Sequence, residues 1–205
     1  MKTQTKITQD KLSPKGAHAI LVEGNKRFVQ NLKVQRNLQD QVIETSKGQH
    51  PFAVILSCID SRVPVELVFD QGIGDIFSVR VAGNIINEDV LGSMEYACKV
   101  AGSKIVVVLG HTNCGAVTAA CKNVKLGNIT SLLSKIKPAI DSIQSKDKEM
   151  NDDEIEEVAV KNVQLSIERI RAESPILLEM EKNNEIEIVG ASYNVSNGNV
   201  IFFKG

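Results

Sequence analysis

The stretch KIVVVLGHTNCG, from Lys104 to Gly115, decides the fold and also points to a site. Its apolar run is unbroken but short, which is typical of a β-strand covered on both faces. A similar run, FAVILSC at residues 52–58, stands earlier in the chain. We therefore predict two buried parallel strands, each followed directly by polar residues.

Further strands and helices alternate around these two runs. IFSVRVAGN at residues 76–84 predicts another strand, and EIEIVGASYNV and NVIFF, joined by the turn Asn197-Gly198, predict a C-terminal hairpin. Apolar residues at helical spacing predict helices at residues 14–32, at 88–102, at 126–143 with a break or bend near Pro138, and at 153–171. We expect a single α/β domain over residues 1–205, with a mostly parallel central sheet flanked by helices and a C-terminal antiparallel hairpin.

The segments between these elements are more polar. Residues 34–50 are predicted to form a loop, and residues 146–157 a solvated turn followed by the start of a helix. Ser174-Pro175 is predicted to end the helix at 153–171. An N-terminal helical arm is expected at about residues 14–35.

Composition narrows the class of protein. The 205 residues are 42% hydrophobic and carry a net charge of −1, so no basic field is present to bind nucleic acid. No apolar run is long enough to span a membrane, and the first residues lack an apolar leader segment. We expect a cytoplasmic protein whose four cysteines stay reduced, so that a cluster of Cys and His favours metal binding or catalysis, while Cys98 and Cys121 are expected to be inert core thiols.

Chemically active residues follow two of the predicted strands. Cys58, Asp60 and Arg62 leave the first, and His111 and Cys114 leave the third. The carboxyl ends of parallel strands meet at one edge of a sheet, and two thiolates with one imidazole make three zinc ligands. A closed structural zinc site is the alternative. The chain offers no fourth Cys or His at suitable spacing, which favours a site with an exchangeable position.

The motifs CIDSRVP at residues 58–64 and HTNCGA at residues 111–116 resemble the signature of the β-class carbonic anhydrases. The likeness covers most of the chain and includes VRVAGN, SMEYA and ASYNV. It implies one zinc ion per chain, bound by Cys58, His111 and Cys114. It also implies that Asp60 and Arg62 are catalytic: Asp60 either ligates the metal itself or pairs with Arg62 and leaves the metal open.

The resemblance further implies a carbon dioxide pocket that a partner subunit helps to form, and hence a homodimer or a dimer of dimers. The implied pocket residues are Gln49, Phe77, Tyr96 and Gly115. Some bacterial members hold inhibitory bicarbonate with a tryptophan, an arginine and a tyrosine. Arg80 and Tyr193 stand at the matching places as a possible anion site, but Ile55 replaces the tryptophan, so we expect no bicarbonate lock.

The implied activity is the zinc-dependent, reversible hydration of carbon dioxide to bicarbonate and a proton, which makes the chain a lyase. Two alternatives remain at this point. One is a hydrolase of carbon disulfide or carbonyl sulfide on the same scaffold. The other is a non-catalytic, zinc-stabilised module that binds a partner through its exposed helices.

Overall fold

The computed structural model describes residues 3–143 and 150–203, and a five-stranded sheet lies at its centre. The strands are β1 Ala53–Ser57, β2 Ile76–Arg80, β3 Ile105–His111, β4 Glu187–Tyr193 and β5 Val200–Phe203. They are ordered β2-β1-β3-β4-β5; the first four run parallel, and β5 is antiparallel to β4. The predicted fold class, including the C-terminal hairpin, is confirmed.

Helices surround the sheet. They are α1 Lys6–Lys11, α2 Pro14–Val29, α3 Leu38–Thr45, α4 Val65–Val68, α5 Glu88–Glu95, α6 Gly115–Cys121, α7 Gly127–Ser134, α8 Lys137–Ile143, α9 Asp152–Glu173 and α10 Pro175–Lys182. A 3₁₀ turn spans Ala82–Asn84, and a π-helical turn at Tyr96–Val100 continues α5. The break predicted near Pro138 separates α7 from α8, because that proline sits in the first turn of α8, where its missing N–H costs nothing.

One sequence prediction is wrong and another is incomplete. The polar stretch 34–50, predicted as a loop, contains α3, which the Asn37 side chain caps and whose only buried residue is Gln41. Its apolar residues Leu38, Val42 and Ile43 are exposed, so α3 lacks the buried apolar face on which the prediction of helices relies. Ser174 does end α9, but it also caps α10 by accepting the N–H of Leu177. Of the predicted turn at 146–157, residues 146–149 lie outside the described residues.

The sheet's two faces bury separate cores, and alternation along the strands decides which side chain joins which. Even-numbered residues face α9 and α10: Val54, Leu56, Val106 and Val108 pack with Val163, Ile167 and Ile170. Odd-numbered residues face α2: Ala53, Ile55, Ile105, Val107 and Leu109 pack with Ala17 and Leu21. Every residue of β1 and β3 is buried, as their apolar runs predict.

Close packing brings α9 against the end of β3. A Cβ at Gly110 would lie 2.7 Å from Cγ2 of Val163, so only glycine allows this approach. The first turns of α9 therefore lie beside the residues that follow β3. Within the described ranges, no helix combines the length and apolar composition that crossing a membrane requires.

Candidate metal centre

Three buried side chains meet at the carboxyl edge of the sheet. Cys58 follows β1, His111 is the last residue of β3, and Cys114 immediately precedes α6. Their ligand atoms all lie within 4.8 Å of one another. The structure thus brings together the three residues that the strand ends were expected to gather, and this group could hold a metal ion.

The imidazole of His111 is oriented by its own backbone neighbour. Its Nδ1 lies 2.9 Å from the carbonyl oxygen of Thr112 and donates to it, which leaves a lone pair on Nε2. That Nε2 is buried and has no hydrogen-bond partner in the described part of the chain. A buried polar atom without a partner is costly, and an imidazole fixed through its other nitrogen is typical of a metal ligand.

The two thiols are electrostatically coupled. The Cys114 thiol donates a hydrogen bond that lowers the pKa of Cys58 despite its burial, and the backbone N–H of Gly83, 3.3 Å from Cys58 Sγ, acts in the same direction. The resulting charge on Cys58, together with burial, raises the pKa of Cys114. A bound divalent cation would favour the thiolate form of both cysteines. The set of two sulfurs and one nitrogen fits Zn²⁺.

An ion pair stands directly beside this group. Arg62 Nε lies 2.9 Å from Asp60 Oδ1, Arg62 Nη2 lies 2.8 Å from Oδ2, and the Arg62 backbone N–H also donates to Oδ1. These bonds hold the pKa of Asp60 well below its usual range, although partial burial opposes them. Asp60 Oδ2 is 3.9 Å from His111 Nε2. The Asp60–Arg62 ion pair therefore lies at the edge of the metal-holding group.

The turn between His111 and Cys114 is held from both sides. The Asn113 carbonyl accepts from Arg62 Nη2 at 3.1 Å, and the Asn113 N–H donates to Glu156 Oε1 of α9 at 2.6 Å. Asn113 has a φ of 54°, in the left-handed region that asparagine tolerates. The contact of Glu156 with this turn could not be predicted from the sequence, because an acidic residue near the start of a helix is also expected from its interaction with the helix dipole.

Comparison with known proteins identifies the family. A family profile described as "Carbonic anhydrase" matches residues 53–200, more than half of the chain. The chain belongs to the carbonic anhydrase family. It is 36% identical to "Carbonic anhydrase 2" of Mycobacterium tuberculosis and 33% identical to the "Carbonic anhydrase" of Mycolicibacterium smegmatis, with 92% of each chain covered in both comparisons.

Solved structures of the β-class share this fold. The β-carbonic anhydrase CcaA superposes with a TM-score of 0.75 at 25% identity, over 92% of this chain and 95% of the other. CafA of Aspergillus fumigatus gives a TM-score of 0.73 at 24% identity, over 92% and 89%. A tetrameric enzyme of Sordaria macrospora gives 0.69 at 21% identity, over 80% and 90%. The resemblance to β-class carbonic anhydrases is confirmed.

Most of the predicted pocket residues of this carbonic anhydrase family member lie apart from the metal-holding group. The rings of Phe77 and Tyr96 meet edge to face with centroids 6.5 Å apart, and they line an open groove along β2. Among the described residues that line this groove, none belongs to the metal-holding group. Gln49 is exposed in the segment before β1, and exposed Gly115 directly follows Cys114.

The possible anion-site residues are also accounted for. Arg80 donates to the carbonyl oxygens of Cys58 at 3.1 Å and Asp60 at 2.6 Å, so it braces the loop after β1. Tyr193, on β4, is buried, and burial raises its pKa. Ile55 lies fully buried in the same core cluster as Tyr193. Arg80 and Tyr193 can make these contacts with or without a bound anion. The anion site therefore stays a prediction.

Proposed function

We propose that this chain is a zinc-dependent carbonic anhydrase that catalyses the reversible hydration of carbon dioxide to bicarbonate and a proton. The observation that carries the proposal is the buried Cys58, His111 and Cys114 group with the Asp60–Arg62 pair beside it. Membership of the carbonic anhydrase family supports it, because the group lies on the two motifs that resemble the β-class signature.

In this proposal Cys58, His111 and Cys114 hold one Zn²⁺ per chain. Bound zinc supplies Lewis acidity, which lowers the pKa of a coordinated water from about 15.7 to near 7. Two thiolates place more negative charge beside that water than three imidazoles would, so we expect a neutral to alkaline working range. The residues fit the ion because His111 offers a buried, unpaired Nε2 and the cysteines offer two sulfurs.

The surrounding side chains orient the reaction. Asp60 Oδ2 is an ionised acceptor at the edge of the site, placed to take a hydrogen bond from a reacting water and so to aim its lone pair. Arg62 keeps that carboxylate charged and fixes its plane through two parallel bonds. Buried Ile85 and Val117 pack in one apolar cluster with Cys58 and Cys114, so the two cysteines border an apolar core.

Stopped-flow assays with three substrates test the proposal. Purified protein should hydrate carbon dioxide with a rate that rises from neutral to alkaline pH, and it should turn over carbonyl sulfide and carbon disulfide far more slowly. Faster turnover of a sulfur gas would favour the hydrolase alternative. Zinc-loaded protein with no activity on any of the three gases between pH 6.5 and 9 would favour the non-catalytic module.

We also propose that the working assembly is a homodimer or a dimer of dimers in the cytoplasm. Tyr96 is 56% exposed and packs edge to face on Phe77 of edge strand β2, and Val100 in the same turn is 69% exposed. The groove of Phe77 and Tyr96 is separate from this chain's own metal-holding group, as expected of residues that serve a partner's pocket together with Gln49. Analytical ultracentrifugation should find no active monomer. A fully active monomer at micromolar concentration would contradict the shared pocket.

Bicarbonate inhibition tests the proposed role of Ile55. Without an indole at this position we expect no dedicated inhibitory pocket at Arg80 and Tyr193, and therefore no more inhibition than product competition explains. A pH–rate profile with and without added bicarbonate measures this directly. A steep, multi-proton loss of activity below about pH 8, made worse by bicarbonate, would show that the pocket forms without the tryptophan.

A further inference from the structure

Glu156 of helix α9 is linked to the metal-holding group through the backbone of the turn between His111 and Cys114. Glu156 Oε1 accepts the N–H of Asn113 at 2.6 Å, and Asn113 is the residue immediately before Cys114. A carboxylate that accepts a backbone N–H makes a charge-assisted bond, stronger than a bond between neutral groups. Glu156 is not among the side chains whose ligand atoms converge in the metal-holding group, so we infer that it holds the turn rather than acting as a fourth ligand.

The carbonyl of Asn113, which belongs to the next peptide group along the chain, is held as well. The Asn113 carbonyl accepts Arg62 Nη2 at 3.1 Å, and that Nη2 also donates to Asp60 Oδ2 at 2.8 Å. Arg62 is half exposed, so few packing contacts fix its position. The carbonyl of Asn113 therefore helps to place the guanidinium, and the Asn113 backbone links Glu156 to the Asp60–Arg62 pair.

Helix α9 is a firm support for this contact. Asn151 and Glu154 close its N-terminus in a reciprocal capping box, and its buried stripe packs on the sheet. Asn162 of the same helix donates to the Gly83 carbonyl at 2.9 Å, and the Gly83 N–H donates to Cys58 Sγ. One helix thus braces the backbone beside both cysteines.

We propose that Glu156 is a positioning residue for the metal centre. It holds the turn from His111 to Cys114 so that both residues keep the geometry of ligands, and so that the Asn113 carbonyl keeps Arg62 on Asp60. The inference rests on the proposed function for its kinetic consequence. Its consequence for metal retention does not depend on which reaction the site performs.

Three variants test the proposal. Glu156→Ala removes the acceptor, Glu156→Gln keeps an acceptor oxygen at similar reach but loses the charge, and Glu157→Gln removes the same charge from the exposed neighbour. The metal readout is the rate at which a chromophoric chelator extracts Zn²⁺ from the holoprotein. The kinetic readout is kcat and KM for carbon dioxide, normalised to bound zinc.

Glu156→Ala should release zinc about 10-fold faster and lose about 10- to 100-fold in kcat with little change in KM, as expected for a residue that supports metal ligands. Glu156→Gln should recover most of both values, and Glu157→Gln should match wild type. Zinc release and kcat in Glu156→Ala that equal those of Glu157→Gln would overturn the proposal. Failure of wild type to hydrate carbon dioxide would contradict the proposed function, while the zinc-release comparison would still decide the role of Glu156.

Hydrogen exchange of the wild-type holoprotein gives a test that does not depend on any variant folding. The Asn113 N–H should exchange about 10-fold or more slowly than the N–H of an exposed loop residue, because Glu156 accepts it. Exchange as fast as that of an exposed loop would overturn the proposal.

Discussion

Two aspartates ten positions apart each pair with arginine, but their surroundings differ. The Asp60 side chain is 17% exposed, and its carboxylate pairs with one arginine, Arg62, whose side chain is 50% exposed. Asp70 is 2% exposed and binds two arginines: Arg27 Nε at 2.6 Å and Arg36 Nη1 at 2.5 Å. Arg36 is itself 8% exposed and donates to the Asp70 carbonyl as well. The first pair lies beside the metal-holding group, and the second joins the N-terminal helical segment to the region after α4.

The difference shows that burial and neighbours, rather than residue type, decide what an ion pair does. Removing one partner of a buried, multiply bonded pair leaves an uncompensated charge, so the Asp70 cluster cannot rearrange cheaply and contributes stability. The Arg62 side chain is half exposed, so opening the Asp60–Arg62 pair costs little. Asp60 and Arg62 can therefore each bind another partner during a reaction.

Replacing a proposed ligand should have the largest effect. Cys114→Ser should lower bound zinc from about one ion per chain to less than about a tenth, because a serine hydroxyl does not replace a thiolate. Hydration activity should fall to the uncatalysed background. Metal analysis of the purified variant measures the loss, and Cys121→Ser, a cysteine outside the metal-holding group, should keep full zinc. Full zinc occupancy in Cys114→Ser would refute the ligand assignment.

Asp70→Asn should destabilise the fold by about 3 kcal/mol, because the two arginines lose their buried counter-charge. Urea denaturation measures the change in the free energy of unfolding. The folded variant should keep its zinc and its activity per zinc. Asp10→Asn is the control: it breaks the exposed pair with Lys6 and should change the free energy of unfolding far less than Asp70→Asn does. Equal effects of the two substitutions would show that the Asp70 cluster is not special.

Arg62→Ala should show the opposite pattern. Without its partner Asp60 is free to turn to the metal, so we expect activity to fall about 10- to 100-fold while zinc stays bound. The free energy of unfolding should change much less than in Asp70→Asn, since the Arg62 side chain is half exposed. Parallel measurement of rate, zinc content and urea midpoint separates these quantities. A loss of stability as large as that of Asp70→Asn would remove the distinction between the two ion pairs.

Lowering the pH should weaken the Asp70 cluster, with a smaller effect on stability than the Asp70→Asn substitution. Burial alone would raise the pKa of Asp70, but hydrogen bonds from Arg27 and Arg36 lower it below its ordinary value. The stability that this provides is present above the unfolded pKa of about 3.9 and is lost as pH falls through the lower folded pKa. Below about pH 4, the unfolding free energy of wild type should therefore fall more steeply than that of Asp70→Asn. Parallel curves for the two proteins would contradict this.

The sequence predicts what local patterns encode. The apolar runs of β1 and β3 and the rule for parallel strand ends are enough to bring Cys58, His111 and Cys114 to one edge. Helix α3 escapes prediction because it buries Gln41 rather than an apolar stripe. The partners of Asp70 and of Asn113 cannot be predicted because they are 34 to 51 residues away along the chain and only the folded structure joins them.

Removal and return of the metal tests the central claim most directly. Wild-type protein is stripped with a chelator until metal analysis finds no zinc, and its rate of carbon dioxide hydration is measured by stopped flow before and after one equivalent of Zn²⁺ is added. We predict that the stripped protein is inactive and that one zinc per chain restores the original rate. Unchanged hydration by the stripped protein, or no hydration by the fully zinc-loaded protein, would contradict the account.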